Sequence, residues 1–128
     1  IVLNGGLTSM AQAHEALTKV DGVMFGRAAY QDPWLLSAVD AELFGAAASA
    51  VTPEASVEAF LPYLSTRLGE GVPLHAMTRH MLGLFNGRPG ARQWRRTLSE
   101  RGVLKGADLS VVKAALDAVA AARLSVAA

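Results

Sequence analysis

The sequence predicts a chain that is α/β at its beginning and all-α afterwards. Two short apolar runs, at residues 1–3 and 23–25, each end close to glycine, and a segment with helical spacing separates them. After Tyr30 the strand signals stop, and helical patterns continue along the chain. Strand, helix and strand in this order form a βαβ unit, whose strands pair in parallel. We therefore expect a small parallel sheet followed by four or five helices, so that most of the chain is α-helical.

The helix between the two strands has a clear start signal. Thr8 or Ser9 offers a side-chain oxygen as N-cap. The apolar residues that follow recur at helical spacing and are Met10, Ala13, Ala16, Leu17 and Val20. This period predicts an amphipathic helix.

The first helices after the strands are marked by proline and threonine. Pro33 stands at a plausible first helical position, and the alanine-rich residues 45–51 are predicted to be a connector. Thr52 is the predicted N-cap of a long helix. The apolar side of that helix is formed by Val57, Phe60, Leu61, Leu64 and Leu68. Pro62 lies inside the pattern, and we expect it to kink or interrupt the helix.

Three further helices complete the predicted architecture. Residues 73–85 predict a helix that is closed by Asn86 and Gly87. Residues 89–102 predict the next one, and Asp108 is the expected cap of an alanine-rich last helix.

Composition excludes several classes of protein. Of the 128 residues 52% are apolar, which is enough for a packed core and argues against disorder. No run of eighteen apolar residues and no signal peptide is visible, so we expect a soluble, cytoplasmic protein without a membrane partner. The chain has no cysteine, and its three histidines lack the spacing of zinc sites. We therefore expect no metal.

Charge is distributed unevenly along the chain. Residues 1–66 carry two basic and seven acidic side chains, a net charge of −5. Residues 67–105 carry eight basic and two acidic side chains, a net charge of +6. This asymmetry predicts two different tasks in one chain.

Two glycine motifs follow the two predicted strands. They read "NGG" at residues 4–6 and "GR" at residues 26–27. Backbone N–H groups behind a strand, where glycine allows close approach, form a cradle for phosphate. In a (β/α)₈ barrel this cradle lies in the loops after the seventh and eighth strands, and Arg27 adds a permanent charge. The alternative is a tight turn at the glycines, with Arg27 as an ordinary surface residue.

The second half of the chain is rich in arginine, and its apolar residues are predicted to form a core separate from the arginines. Five arginines occur within eighteen residues: Arg79, Arg88, Arg92, Arg95 and Arg96. A helical surface of this charge favours a polyanion such as RNA. The alternative is a solvated face without a partner. We expect Trp34 and Trp94 to anchor the core.

These motifs carry a resemblance to a known family. The segments "NGG", "VDGVMFGRAAYQDPWLL" and "PLHAMTRHMLGLFNGRPGARQWRRTLSE" resemble the carboxyl-terminal part of the bacterial tRNA-dihydrouridine synthases, specifically the A subfamily. The resemblance implies that residues 1–44 are the last βαβ portion of a TIM (β/α)₈ barrel that binds FMN. It also implies that residues 45–128 form a helical bundle that recognises tRNA.

The resemblance further implies a reaction and its binding residues. Family enzymes reduce uridine in the D-loop of tRNA to 5,6-dihydrouridine, with FMN that NADPH recharges. The positions that match the FMN contacts are Asn4, Gly5, Gly6, Gly26 and Arg27. The five arginines listed above are the expected RNA contacts.

One feature of the family is missing from the sequence. The resemblance places the catalytic acid, a cysteine, on an upstream barrel loop, and this chain contains no cysteine. We therefore expect a truncated enzyme that is inactive alone, with no catalytic residue in this chain. Two alternatives remain open: a non-catalytic helical RNA-binding module, and an FMN-dependent oxidoreductase that acts on a small molecule.

Overall fold

The computed structural model describes residues 1–127 of the chain. These residues form two compact units that divide between Ala50 and Val51, called the strand unit and the helical unit below. The division falls at the end of the alanine-rich segment that the sequence predicts to be a connector.

The strand unit begins with the predicted βαβ arrangement. Strand β1 (Val2–Asn4) pairs in parallel with strand β2 (Gly22–Met24), and helix α1 (Met10–Leu17) lies between them in sequence. In the observed register Asn4 is opposite Met24. The prediction of two parallel strands around one helix is confirmed, although β2 begins one residue before the predicted run.

Helix α1 begins directly after its N-cap residue. Of the two candidates it is Ser9 that acts as N-cap, because its Oγ accepts a hydrogen bond from the backbone N–H of Gln12 at 3.3 Å. Met10 and Ala13 are buried, as the apolar period predicts.

Three short helices follow β2. They are α2 (Arg27–Gln31), a 3₁₀ helix (Pro33–Ala38) and α3 (Val39–Phe44). Asp32 separates the first two with backbone angles outside the helical region, φ −136° and ψ 78°, because a residue before proline avoids the helical conformation. The predicted helix therefore does start at Pro33, but its first part is 3₁₀, and α2 was not predicted. Trp34 is only half-buried, so the prediction that it anchors a core is not confirmed.

The helical unit opens with helix α4 (Pro53–Gly69), capped by Thr52 as predicted. Of the two predicted effects of Pro62, a kink or an interruption, the interruption is wrong, because the helix continues through Pro62 to Gly69. Pro62 lacks the N–H that would bond the carbonyl of Glu58, but both residues are exposed, so water can satisfy that carbonyl. Phe60 is also not in the core, since 37% of it remains exposed.

The predicted helix over residues 73–85 is much shorter than expected. Helix α5 (Leu74–Thr78) has only five residues, and a series of turns follows. In those turns backbone N–H groups bond carbonyls three residues earlier, as Leu84 does to Met81 at 3.1 Å. The carbonyl of Met81 also accepts the indole N–H of Trp94 at 2.9 Å. The carbonyl of Met81 thus accepts two hydrogen bonds, one within the turns and one from the buried Trp94.

Two long helices complete the helical unit, α6 (Ala91–Arg101) and α7 (Leu109–Ala127). Both were predicted. They approach closely beside Gly90, whose φ is +90° and where an added Cβ would lie 2.8 Å from the Cα of Val119. The core of the unit consists of Val57, Leu64, Leu74, Phe85, Trp94, Leu98, Val111, Val112, Ala115 and Val119. Trp94 is fully buried, so its predicted role as a core anchor is confirmed.

A carboxylate at the start of α7 makes the stability of the helical unit depend on pH. Hydrogen bonds from the side chain of Ser110, and then from its backbone N–H at 2.9 Å, hold the pKa of Asp108 below its ordinary value. The folded pKa lies below the unfolded one, so this contribution is present above the unfolded pKa. It is lost as pH falls through the folded pKa.

We therefore expect part of the acid destabilisation of the helical unit, beginning at about pH 4, to come from Asp108. Asp108→Asn should lose less stability between neutral and acidic pH than the parent chain, as measured by urea unfolding at several pH values. Asp117→Asn on the same helix is the control. Equal acid dependence in the parent and Asp108→Asn would contradict the assignment.

Candidate phosphate cleft and basic helix face

Parallel pairing places the carboxyl ends of β1 and β2 at the same edge of the sheet. The loops that leave these ends surround a cleft of about 380 Å³. Its lining residues are Asn4, Gly5, Gly6, Leu7, Thr8, Gly26, Arg27, Ala28 and Gln31. All five residues that the sequence singled out for FMN therefore meet at one cleft within the strand unit. Their role in binding FMN stays a prediction.

Two consecutive glycines shape the first loop of the cleft. Gly5 has a φ of +106° and Gly6 a φ of +76°, a region that residues with a Cβ rarely adopt. No atom lies within 4 Å of a Cβ added at either position. Glycine is thus needed here for the backbone conformation, and the space beside it is open to a ligand.

Arg27 provides the positive charge of the cleft. It is exposed at the beginning of α2, and no ion pair joins it to any acidic side chain within residues 1–127. Its planar guanidinium can bind two oxygens of one phosphate side by side. The cleft therefore combines open backbone, an amide side chain at Asn4 and an unneutralised cation.

Gln12 also supports the loop that lines the cleft, although the sequence pattern did not single it out. Its Oε1 accepts hydrogen bonds from the backbone N–H of Thr8 at 2.7 Å and from the Thr8 hydroxyl at 3.1 Å. Thr8 lines the cleft, so Gln12 fixes the far end of the glycine loop. The signal was available, because serine followed three residues later by glutamine is the pattern of a capping box.

The second candidate region is the basic face of α6, formed by Arg92, Arg95 and Arg96. Residues three and four apart share one side of a helix, and the buried Trp94 and Leu98 occupy the opposite side. All three arginines are exposed.

Hydrogen bonds orient two of these guanidinium groups. Arg95 donates to the side-chain oxygen of Asn86 at 2.7 Å, and Arg96 pairs with Glu100 at 3.0 Å. Within the described chain, Glu100 is the one acidic residue paired with this face. The face therefore keeps a net positive charge.

The other two predicted RNA contacts do not lie on this helix. Arg79 and Arg88 are exposed in the turns between α5 and α6. The Nε of Arg79 donates to the Nε2 of His80 at 3.2 Å. The structure thus places three of the five arginines on one helix face and two on the adjoining turns.

The histidines and carboxylates form no metal-binding group in the part of the chain that is described. No cluster of three or more suitable side chains occurs there. The Nε2 of His14 instead contacts the Oε2 of Glu42 at 3.0 Å. None of the described helices combines the length and apolarity that crossing a membrane requires.

Comparison with known proteins adds a family match. The sequence model described as "Dihydrouridine synthase (Dus)" matches residues 1–121. Proteins named tRNA-dihydrouridine(20/20a) synthase are similar over 92% of the chain: the one from Salmonella typhimurium is 52% identical over 118 residues, and the one from Escherichia coli K12 is 51% identical. The Shewanella oneidensis protein of the same name is 50% identical over 93% of the chain. The chain spans about a third of the length of these relatives, 36% and 34% for the first two.

Proposed function

The chain belongs to the dihydrouridine synthase family, and we propose from this premise that it is the carboxyl-terminal part of an FMN-dependent tRNA-dihydrouridine synthase. The whole enzyme would reduce uridine in the D-loop of tRNA to 5,6-dihydrouridine with NADPH, in the cytoplasm. The names of the similar proteins support the tRNA substrate. In this proposal residues 1–44 complete a (β/α)₈ barrel and residues 45–128 recognise tRNA.

The cleft of the strand unit fits the phosphate end of FMN. It has about 380 Å³ of space, an open glycine loop and the charge of Arg27, which forms no ion pair with residues 1–127. Arg27 would bind the phosphate, the loop at Gly5 and Gly6 would allow close backbone approach, and the Asn4 amide would bond the ribityl chain. Bound FMN would supply the hydride transfer, while these residues position it.

The meeting of all five predicted FMN residues at one cleft is the observation that carries the proposal. A purely helical RNA-binding module has no use for such a cleft. A small-molecule oxidoreductase, in turn, has no use for the exposed arginines of α6. The two features together favour an enzyme that handles both a phosphate-bearing cofactor and a nucleic acid.

The function is tested by incubating tRNA without dihydrouridine with NADPH, FMN and the full-length protein that contains this chain. Mass spectrometry of the nucleosides should show 5,6-dihydrouridine. Oxidation of NADPH without any dihydrouridine in the tRNA would favour the small-molecule alternative.

The role of Arg27 is tested in the same full-length protein. A charge-assisted hydrogen bond to phosphate contributes about 1.5–3 kcal/mol, so Arg27→Ala should weaken FMN binding roughly tenfold or more. Titration of flavin fluorescence measures this affinity. Lys19→Ala, which removes a cation outside the cleft, should bind FMN like the parent. Equal FMN affinity in the parent and in Arg27→Ala would show that Arg27 does not bind the phosphate.

A further inference from the structure

Helix α4 carries an exposed pair of aromatic side chains that the fold does not use. Phe60 and Tyr63 lie one turn apart, 37% and 51% exposed. Their rings are stacked, with centroids 4.9 Å apart and planes inclined by 23°. The packing side of α4 is formed instead by Pro53, Val57 and Leu64. The pair is thus ordered by its own contact and remains open to a partner.

The surroundings of the pair are polar and include a cation. Arg67 follows Tyr63 by four residues, so it lies on the same side of the helix. It forms an ion pair with Glu70, one further turn along. Tyr63 contributes a hydroxyl at the ring edge, which can donate or accept a hydrogen bond. We call Phe60, Tyr63 and Arg67 the aromatic face of α4.

We propose that the aromatic face of α4 binds an unpaired nucleobase of RNA by stacking, with Arg67 beside the adjoining phosphate. The inference rests on the proposed role of the helical unit in binding tRNA. An unpaired base can stack on the open side of either ring and so extend the existing stack. Exposed aromatic rings beside a cation are the elements that single-stranded RNA requires.

Charge and size favour RNA over a protein partner. Residues 51–128 contain ten basic and six acidic side chains, a net charge of +4, which attracts a polyanion to the unit as a whole, whereas α4 itself contributes Glu54 and Glu58 against Arg67. Two rings with polar neighbours form a small apolar patch, whereas a stable protein interface buries roughly 800 Å² on each partner. The patch matches one or two bases.

The test measures RNA binding by the full-length protein that contains this chain. The probes are a labelled oligouridine strand and the duplex that it forms with oligoadenosine. Stacking on an aromatic side chain is worth about 1–3 kcal/mol per base, so Tyr63→Ala should weaken binding of the single strand roughly 5- to 150-fold. Binding of the duplex, whose bases are already stacked, should change less than about twofold if only phosphate contacts hold it.

Matched variants separate stacking from other effects. Tyr63→Phe keeps the ring and should bind the single strand like the parent, whereas Tyr63→Leu keeps an apolar side chain without a ring and should behave like Tyr63→Ala. Tyr30→Ala removes an exposed tyrosine from the strand unit and should have no effect. Circular dichroism verifies that each variant is folded.

The outcomes distinguish this inference from the proposed function. If the parent protein binds RNA with a steep salt dependence but Tyr63→Ala binds the single strand equally well, the stacking role is wrong and the aromatic face is covered by protein or left in water. If the parent protein binds neither RNA, the proposed tRNA role of the helical unit and the stacking role are both wrong.

Discussion

Trp94→Ala should lower the free energy of unfolding of the helical unit by about 3–5 kcal/mol, the usual range for removing a buried aromatic residue. Trp94 is fully buried and packs on Phe85, with ring centroids 4.8 Å apart. Its indole N–H donates to the carbonyl of Met81 at 2.9 Å, so the substitution also removes a hydrogen bond. A domain is stable by only about 5–15 kcal/mol, which makes this loss a large fraction of the total.

Urea unfolding followed by far-ultraviolet circular dichroism measures this effect. Tryptophan fluorescence is unsuitable, because the substitution removes the reporter and leaves Trp34 in the other unit. Trp94→Phe should lose less stability than Trp94→Ala, since it keeps a ring against Phe85 and lacks only the N–H and part of the volume. Arg92→Ala on the exposed side of the same helix should change stability by less than about 0.5 kcal/mol. A midpoint for Trp94→Ala equal to that of Arg92→Ala would contradict the assignment of Trp94 as the core anchor.

The parts of the fold that could be predicted from sequence are those fixed by local signals. The glycine-ended runs gave both strands and their parallel pairing, since strands joined through a helix have little other choice. Thr52 and Asp108 marked helix starts because a cap acts through its own backbone neighbours. The arginines of α6 alternate with Trp94 and Leu98 at helical spacing, which made that helix recognisable.

The parts that could not be predicted depend on contacts between distant residues. Helix α5 ends at Thr78 although its pattern continues, and the turns that follow present the carbonyl of Met81 to the indole N–H of Trp94, thirteen residues later. Phe60 fits the apolar period of α4, yet the core closes over Val57 and Leu64 and leaves it outside. A sequence pattern shows which side chains of a helix are apolar. It does not show how much of the helix surface the rest of the fold covers.

The cleft was predictable as a meeting of residues, because parallel strands end at one edge and carry their loops to the same place. The pattern did not show which side chain holds the glycine loop in place. Gln12 lies on α1 and reaches back to Thr8, so its role depends on a side-chain conformation. A capping-box search finds such a residue, but it does not show that the partner borders a cleft.

Under the proposed function, the basic face of α6 should contribute strongly to tRNA affinity. Arg95→Glu combined with Arg96→Glu removes two cations from one helix side and adds two anions. Each hydrogen bond to a charged group is worth about 1.5–3 kcal/mol, so the affinity for tRNA should fall about a hundredfold or more. Each lost phosphate contact should also lower the slope of log K against log salt by roughly 0.7–0.9. Filter binding at several salt concentrations measures both quantities.

The control for this experiment keeps the total charge change and moves it away from the face. Arg101 and Lys105 are exposed, and Arg101 lies about half a turn from the arginines of the basic face on α6. Arg101→Glu with Lys105→Glu alters net charge equally, so any long-range effect of charge appears in both double variants. A loss specific to Arg95 and Arg96 therefore reports local phosphate contacts. Under the proposed function, the same two substitutions in the full-length protein should leave FMN binding and NADPH oxidation unchanged, because the cleft proposed for FMN is lined by residues of the strand unit. If both double variants lose affinity equally, the basic face acts only through the net positive charge of the protein. The recognition role proposed for α6 is then wrong.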